Sequence, residues 1–149
     1  MAKFFEYSTP RQILEKAKHD LQKLSQDTNI DNIFNFFVTA YHVVDYVKAL
    51  NTVPADDIRA LCKEPDFRRC RYICNKSKHR VLDKGDDEFV TYQRPSAALG
   101  ECVLGESVFG LGRAYFIIDE AEQVDVLELG KRIIARWEAF FNTHSIQSA

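Results

Sequence analysis

Along most of the chain, apolar residues recur at steps of three and four, the spacing of one buried helix face. Ile13, Leu14, Ala17, Leu21 and Leu24 keep that rhythm behind Thr9 and Pro10. Thr9 or Ser8 can cap a helix, and proline suits its first turn. The pattern predicts a first helix over about 9–26, after a short arm, with Lys16, Lys18, Lys23 and Asp20 on its outer face. Asp31 or Asn29 can cap a second, over about 30–50. Ile33, Phe34, Phe36, Phe37, Val38, Ala40, Tyr41, Val43, Val44, Tyr46, Val47 and Leu50 make it apolar most of the way round, as in a helix covered on several sides. Its polar stripe is Asn32, Asn35, Thr39 and His42, drifting to Asp45. Two readings of the stripe stand: a solvent-facing strip with His42 satisfied locally, or His42 and Asp45 looking toward a later basic helix across a polar cleft.

A short helix over Ala55–Cys62 is broken at Lys63-Glu-Pro65. Asp66 can cap the next, running to about Val81, with Phe67, Cys70, Ile73, Cys74, Ser77 and Val81 as its buried stripe. The texture then changes. Glu88–Gln93 alternates like a strand, Arg94-Pro-Ser96 interrupts it, and the runs Cys102–Phe109 and Arg113–Ile118 flank Gly110-Leu-Gly112 as a hairpin would. These glycines lack the spacing and strand-then-helix setting of a phosphate-binding loop. A last helix is expected over about 124–142, burying Val126, Leu127, Leu129, Ile133, Ile134, Trp137, Phe140 and Phe141. The expected fold is mainly α: a bundle of about four long helices in a single domain (1–149), with a small β-hairpin insertion at about 88–118 before the C-terminal helix.

Composition adds little to that picture. A hydrophobic fraction of 46% and a charged fraction of 28% are those of a folded chain. No apolar run reaches the roughly 18–20 residues of a membrane span, and the first residues lack a signal-peptide core. The expectation is a cytoplasmic protein, not membrane-bound, with Cys62, Cys70, Cys74 and Cys102 as thiols.

Charge changes the picture more. The net charge is −2, yet Arg68, Arg69, Arg71, Lys76, Lys78 and Arg80 occur with no acid among them. Such a local field favours an anionic partner whatever the overall sign. Residues three, four and seven apart share a helix face. Counting back from His79 gives Lys76, Asn75 and Tyr72, with Arg71 and Arg68 further up. A histidine near neutral pKa can move the proton of a ribose 2′-hydroxyl or of a leaving oxygen. Neighbouring cations favour its neutral form and stabilise charge on phosphate oxygens. On this reading His79, Arg71 and Asn75 are the catalytic candidates. Arg68, Tyr72, Lys76, Lys78, His42 and Asp45 are the substrate-binding ones. The plainer reading is a solvated basic helix face.

The run Cys74-Asn-Lys-Ser-Lys-His79, following an apolar helix of the type Ala40-Tyr-His-Val-Val-Asp-Tyr-Val-Lys48, resembles the HEPN superfamily (higher eukaryotes and prokaryotes nucleotide-binding). The resemblance implies a small helical bundle, commonly dimeric. Many such domains are metal-independent ribonucleases of toxin–antitoxin, CRISPR and phage-defence systems; others are inactive. Their signature is an arginine and a histidine with four to six residues between, often with a polar residue just after the arginine. Asn75 and His79 match it. The permitted arginine positions hold Tyr72, Ile73 and Cys74, and Arg71 stands one residue outside. The resemblance does not extend to 88–118. It implies a homodimer in which two basic helices meet across a twofold axis and hold RNA, phosphate or another nucleotide. Cys74 in place of arginine leaves a second reading open: a catalytically inactive dimer acting as an adaptor, an antitoxin-like subunit with a cognate protein partner, or a nucleic-acid-binding module. No metal or cofactor is expected. Cys70 and Cys74 share a face, but His79 points elsewhere and no cysteine pair has zinc-knuckle spacing. A cysteine–histidine hydrolase lacks an oxyanion turn at Cys74.

Overall fold

The computed structural model describes residues 7–78, 89–95, 113–119 and 122–147. The elements are α1 (Pro10–Gln26), α2 (Ile30–Ala49), α3 (Ala55–Lys63), α4 (Pro65–Lys78), β1 (Phe89–Pro95), β2 (Arg113–Asp119), β3 (Glu122–Asp125) and α5 (Val126–Thr143). This is the expected mainly helical fold, four long helices and one short, with a small antiparallel sheet before the last helix. No described helix is long and apolar enough to cross a membrane.

Three of the helix starts are built by polar side chains. Thr9 Oγ1 accepts from the Gln12 amide at 3.2 Å, and Gln12 Oε1 accepts from the Thr9 amide at 3.1 Å, a reciprocal capping box. Asn29 Oδ1 accepts from the Asn32 amide at 2.8 Å. Asp125 Oδ1 accepts from the amides of Leu127 and Glu128 at 2.9 and 3.1 Å. That last cap sets α5 two residues later than its apolar pattern suggests and leaves Val124 in β3. The expected pairing of the sheet also differs. Arg113–Asp119 pairs with Phe89–Pro95, placing Val90 opposite Ile118 and Tyr92 opposite Phe116. On its other side it pairs with β3, Ile117 opposite Val124. The run 102–109, expected as its hairpin partner, lies outside the described residues.

One cluster of buried side chains joins the layers. Phe36, Phe37, Ala40 and Val43 of α2 meet Leu14, Ala17 and Leu24 of α1 and Leu129, Ile133, Trp137 and Phe141 of α5, all fully buried. Trp137 Nε1 donates to the Ala40 carbonyl at 3.0 Å, and its ring meets Phe67 of α4 edge-on at 5.1 Å. Two residues expected on outward faces turn inward instead. Asp20 and Thr39 are buried; Thr39 Oγ1 donates to Asp20 Oδ2 at 3.0 Å, and Lys16 Nζ reaches the same carboxylate at 2.6 Å. The pairing satisfies a carboxylate that burial would otherwise penalise by several kcal/mol.

Gly130 sits where α5 crosses α1 and α2. A methyl group there would lie 2.8 Å from Leu21 Cδ1 and 2.9 Å from Phe36 Cε1. The Leu21 methyl can swing away; the Phe36 ring is fully buried against Phe37 at 4.9 Å between centroids. Gly130→Ala would gain up to about 1 kcal/mol in helix propensity and lose about 1–3 kcal/mol to overpacking. The expected outcome is a net loss of about 1 kcal/mol, read as a lower midpoint in urea. Glu138 supplies a pH test. Burial pushes its carboxyl up, but hydrogen bonds and charge from Lys18 and Arg11 outweigh that and hold it below the ordinary 4.5. A carboxylate held low stabilises the fold above its ordinary pKa and loses that contribution as pH falls through the folded value. Glu138→Gln should therefore melt earlier than the wild type at about pH 7, with the gap closing toward about pH 3.

Candidate functional site

The basic helix begins at Pro65, where a missing amide costs nothing, and carries Asp66 in its first turn. That aspartate is a clamp. Its Oδ1 accepts from Arg69 Nη1 at 2.9 Å and Arg132 Nη2 at 2.8 Å, and its Oδ2 from Arg132 Nε at 2.9 Å. Arg69 reaches further, to Glu122 Oε2 at 2.9 Å. With its side chain only 6% exposed, Arg69 is an internal cation tying α4 to β3 through Glu122, while Asp66 ties α4 to α5 through Arg132. A second bridge, Arg136 to Glu64 with contacts of 2.8–3.1 Å, fastens α5 to the turn before α4.

The rest of α4 divides sharply. Phe67, Cys70, Tyr72, Ile73 and Cys74 are buried; Arg68, Arg71 and Lys76 are exposed, and Asn75 is partly so. At 3.6 residues per turn, Arg68, Arg71 and Asn75 span a strip about 60° wide, with Lys76 about 80° beyond Arg68. The structure thus brings four of the expected residues to one side and withdraws one. Tyr72, expected on the ligand side, is 5% exposed and belongs to the core. It sits about 40° round the helix from Arg68, between Arg68 and Lys76, so helix spacing alone does not mark it as buried. Lys78 ends the helix, its side chain outside what is described; His79, and so the pairing of His79 with Arg71 and Asn75, lies outside the described residues.

Helices α2 and α3 meet this strip at Cys62. Burial pushes the Cys62 thiol up; Lys48 and Arg71 pull it down, and Asp45 pushes it up. Tyr41 is raised to about 12, first by burial and then by Cys62, with Arg71 opposing. Tyr41, Asp45, Lys48, Cys62 and Arg71 therefore share one electrostatic neighbourhood. Of the two α2 residues expected to face the basic helix, Asp45 acts on the same thiol as Arg71. His42 Nδ1 lies 2.6 Å from the Val38 carbonyl of its own helix. Tyr41, Lys48 and Cys62 were not among the expected site residues. The signal for the first two was the 41, 45, 48 spacing, one face of α2.

No family model, curated protein or solved structure matches the chain. Its chemistry is to be read from the residues themselves. A thiol with a raised pKa is protonated near neutral pH and a poor nucleophile; Cys62 and fully buried Cys70 are both in that state. Among the described residues no three histidine, cysteine or acidic side chains converge as metal ligands. A cavity of about 430 Å³ lies off α4, lined by Arg11, Glu15, Phe141 and the turn after α5. What the α4 strip offers is guanidinium and ammonium groups beside an amide, a set suited to phosphate oxygens.

The division into internal and external cations is testable. Asp66→Ala takes from Arg69 and Arg132 the carboxylate they share and should cost about 3 kcal/mol in denaturant unfolding, the low end for breaking a buried pair. Arg69→Met removes the buried charge along with its partner's obligation, and stability should stay within about 1 kcal/mol of wild type.

Proposed function

We propose that the protein is a HEPN-like helical module that binds RNA, its phosphates held along the exposed strip of α4 by Arg68, Arg71 and Lys76, with Asn75 beside them. The observation that carries this reading is the exposure of those three cations together while Arg69 is buried in ion pairs. Among the described residues no carboxylate is within ion-pair distance of Arg71 or Lys76. The charge of Arg71 and Lys76 is thus open to a ligand, in a chain whose net charge would otherwise repel a polyanion. The HEPN resemblance makes RNA the expected polyanion.

Binding is better supported than cutting. The three positions where the HEPN signature places its arginine are Tyr72, Ile73 and Cys74, which are 5%, 6% and 0% exposed. A guanidinium in that register would point into the core. The ribonuclease reading, of a toxin or phage-defence kind, rests instead on Arg71, which is exposed and shares its strip with Asn75. Cleavage by this route would use His79 as the proton-transfer group and need no metal.

Fluorescence anisotropy with a single-stranded RNA across a salt series tests the binding. Three phosphate contacts predict a slope of about −2 in log affinity against log salt. The triple variant Arg68→Ala/Arg71→Ala/Lys76→Ala should lose most of the affinity and flatten the slope, while Arg69→Met should bind as wild type does. Equal affinity in the triple variant would remove this reading. Loss of full-length RNA in EDTA, abolished by His79→Ala, would convert it to the ribonuclease.

A further inference from the structure

Where the α4 strip meets α2, charges of both signs collect without pairing. Tyr41, Asp45 and Lys48 fall within about 60° of one another on α2. Asp45 and Lys48 are exposed, and Tyr41 is partly buried. Cys70 Sγ, 3.9 Å from the Phe37 carbonyl, fixes which turns of the two helices touch. Side chains of a helix lean toward its N-terminus. Tyr41 therefore leans back to the turn of Phe37, and Arg71, next to Cys70, leans toward the start of α4 and the Cys62 that precedes it. Arg71 acts on both Tyr41 and Cys62, while Lys48 and Asp45 act on Cys62 from the α2 side. Yet among the described residues Asp45, Lys48 and Arg71 enter no ion pair. Other exposed charges of this chain do pair when they come close, as Lys131 does with Glu128.

Asp45 decides what such a junction can hold. A carboxylate set beside two cations weakens their grip on phosphate. What it adds is a strong acceptor for a donor placed next to that phosphate. Ribose has such a donor, the 2′-hydroxyl, and deoxyribose has none.

We propose that the junction of α2 and α4 is a ribonucleotide subsite, in which Lys48 and Arg71 hold one phosphate and Asp45 accepts from the 2′-hydroxyl of the adjoining ribose. It rests on RNA binding by α4 and adds a means of telling RNA from DNA. The cations alone have no such means, because both strands carry the same phosphates. Lys48 becomes a fourth phosphate contact on a second helix, so the bound strand crosses from α4 to α2.

Fluorescence anisotropy with a single-stranded RNA and the deoxyribose strand of the same base sequence, uracil in both, isolates the hydroxyl. Wild type should favour RNA about tenfold or more, as one hydrogen bond to a charged acceptor gives. Asp45→Ala removes the acceptor and the repulsion together, so DNA should tighten and the ratio fall to within about twofold of unity. Asp45→Asn, whose amide oxygen still accepts, should keep a ratio of about threefold. Lys48→Ala should weaken both strands alike and flatten the salt slope by about 0.7. Lys23→Ala makes the same charge change beside the start of α2, about 24 Å along that helix, and should leave the slope as it is. All four positions are exposed or partly so, and circular dichroism melts should match wild type. Equal affinity of wild type for the two strands would overturn the subsite and leave RNA binding by α4 standing. A preference that survives Asp45→Ala, or a slope indifferent to Lys48→Ala, would do the same. Failure of wild type to bind either strand would remove both.

Discussion

The Trp137 indole donates its one hydrogen bond to a backbone carbonyl in the middle of α2, and four helices close around that contact. The Ala40 carbonyl of α2 accepts from the indole, Phe67 of α4 meets its ring edge-on, and Phe140 and Phe141 of α5 do the same at centroid distances of 5.8 and 5.9 Å. Phe141 in turn lies under the Arg11 guanidinium of α1, 4.9 Å from its ring centre. A large aromatic whose polar tip must find a partner has few acceptable positions in a core. Because the partner here is backbone, the crossing of α5 over α2 is set by main-chain geometry as well as by side-chain volume.

That crossing decides which cations of α4 face outward. With Phe67 drawn to Trp137 and Cys70 against the Phe37 carbonyl at 3.9 Å, about two thirds of the helix circumference is covered. Arg69 falls on the covered side, where Asp66 and Glu122 meet its charge. A row of cations uniform in sequence is therefore two populations in space. Arg69 ties α4 to β3, and the others are presented to solvent, Arg71 beside Tyr41 and Cys62.

Much of the architecture was legible in the sequence because it rests on local rules. Thr9, Asn29 and the three-and-four spacing of α1, α2 and α5 are short-range signals, and the helices begin within a residue or two of where those signals place them. The exceptions arise where a distant partner decides. Asp20 and Thr39 read as outward polar residues on separate helices; only their meeting makes burial acceptable. The start of α5 is governed by the Asp125 cap, which ends the strand that Val124 joins. At the site, spacing put Arg68, Arg71 and Asn75 on one strip, since helix geometry alone determines that. It could not tell that Tyr72 and Arg69, neighbours of that strip, lie beneath the core's edge, because burial depends on which helices arrive alongside.

The Asp20–Thr39–Lys16 contact has a consequence beyond the charge it satisfies. Apolar stripes of similar texture can slide past one another with little loss, since one leucine fills a gap much as the next does. A shift of α1 along α2 by a single turn, about 5.4 Å, would leave the Asp20 carboxylate without the hydroxyl that now faces it, in a place closed to water. Lys16 moves with Asp20 on α1 and stays paired to it, so the loss is that of one buried hydrogen bond to a charged group, about 1.5–3 kcal/mol. The two helices are thus keyed, and one alignment of an otherwise slippery seam is singled out by a single oxygen.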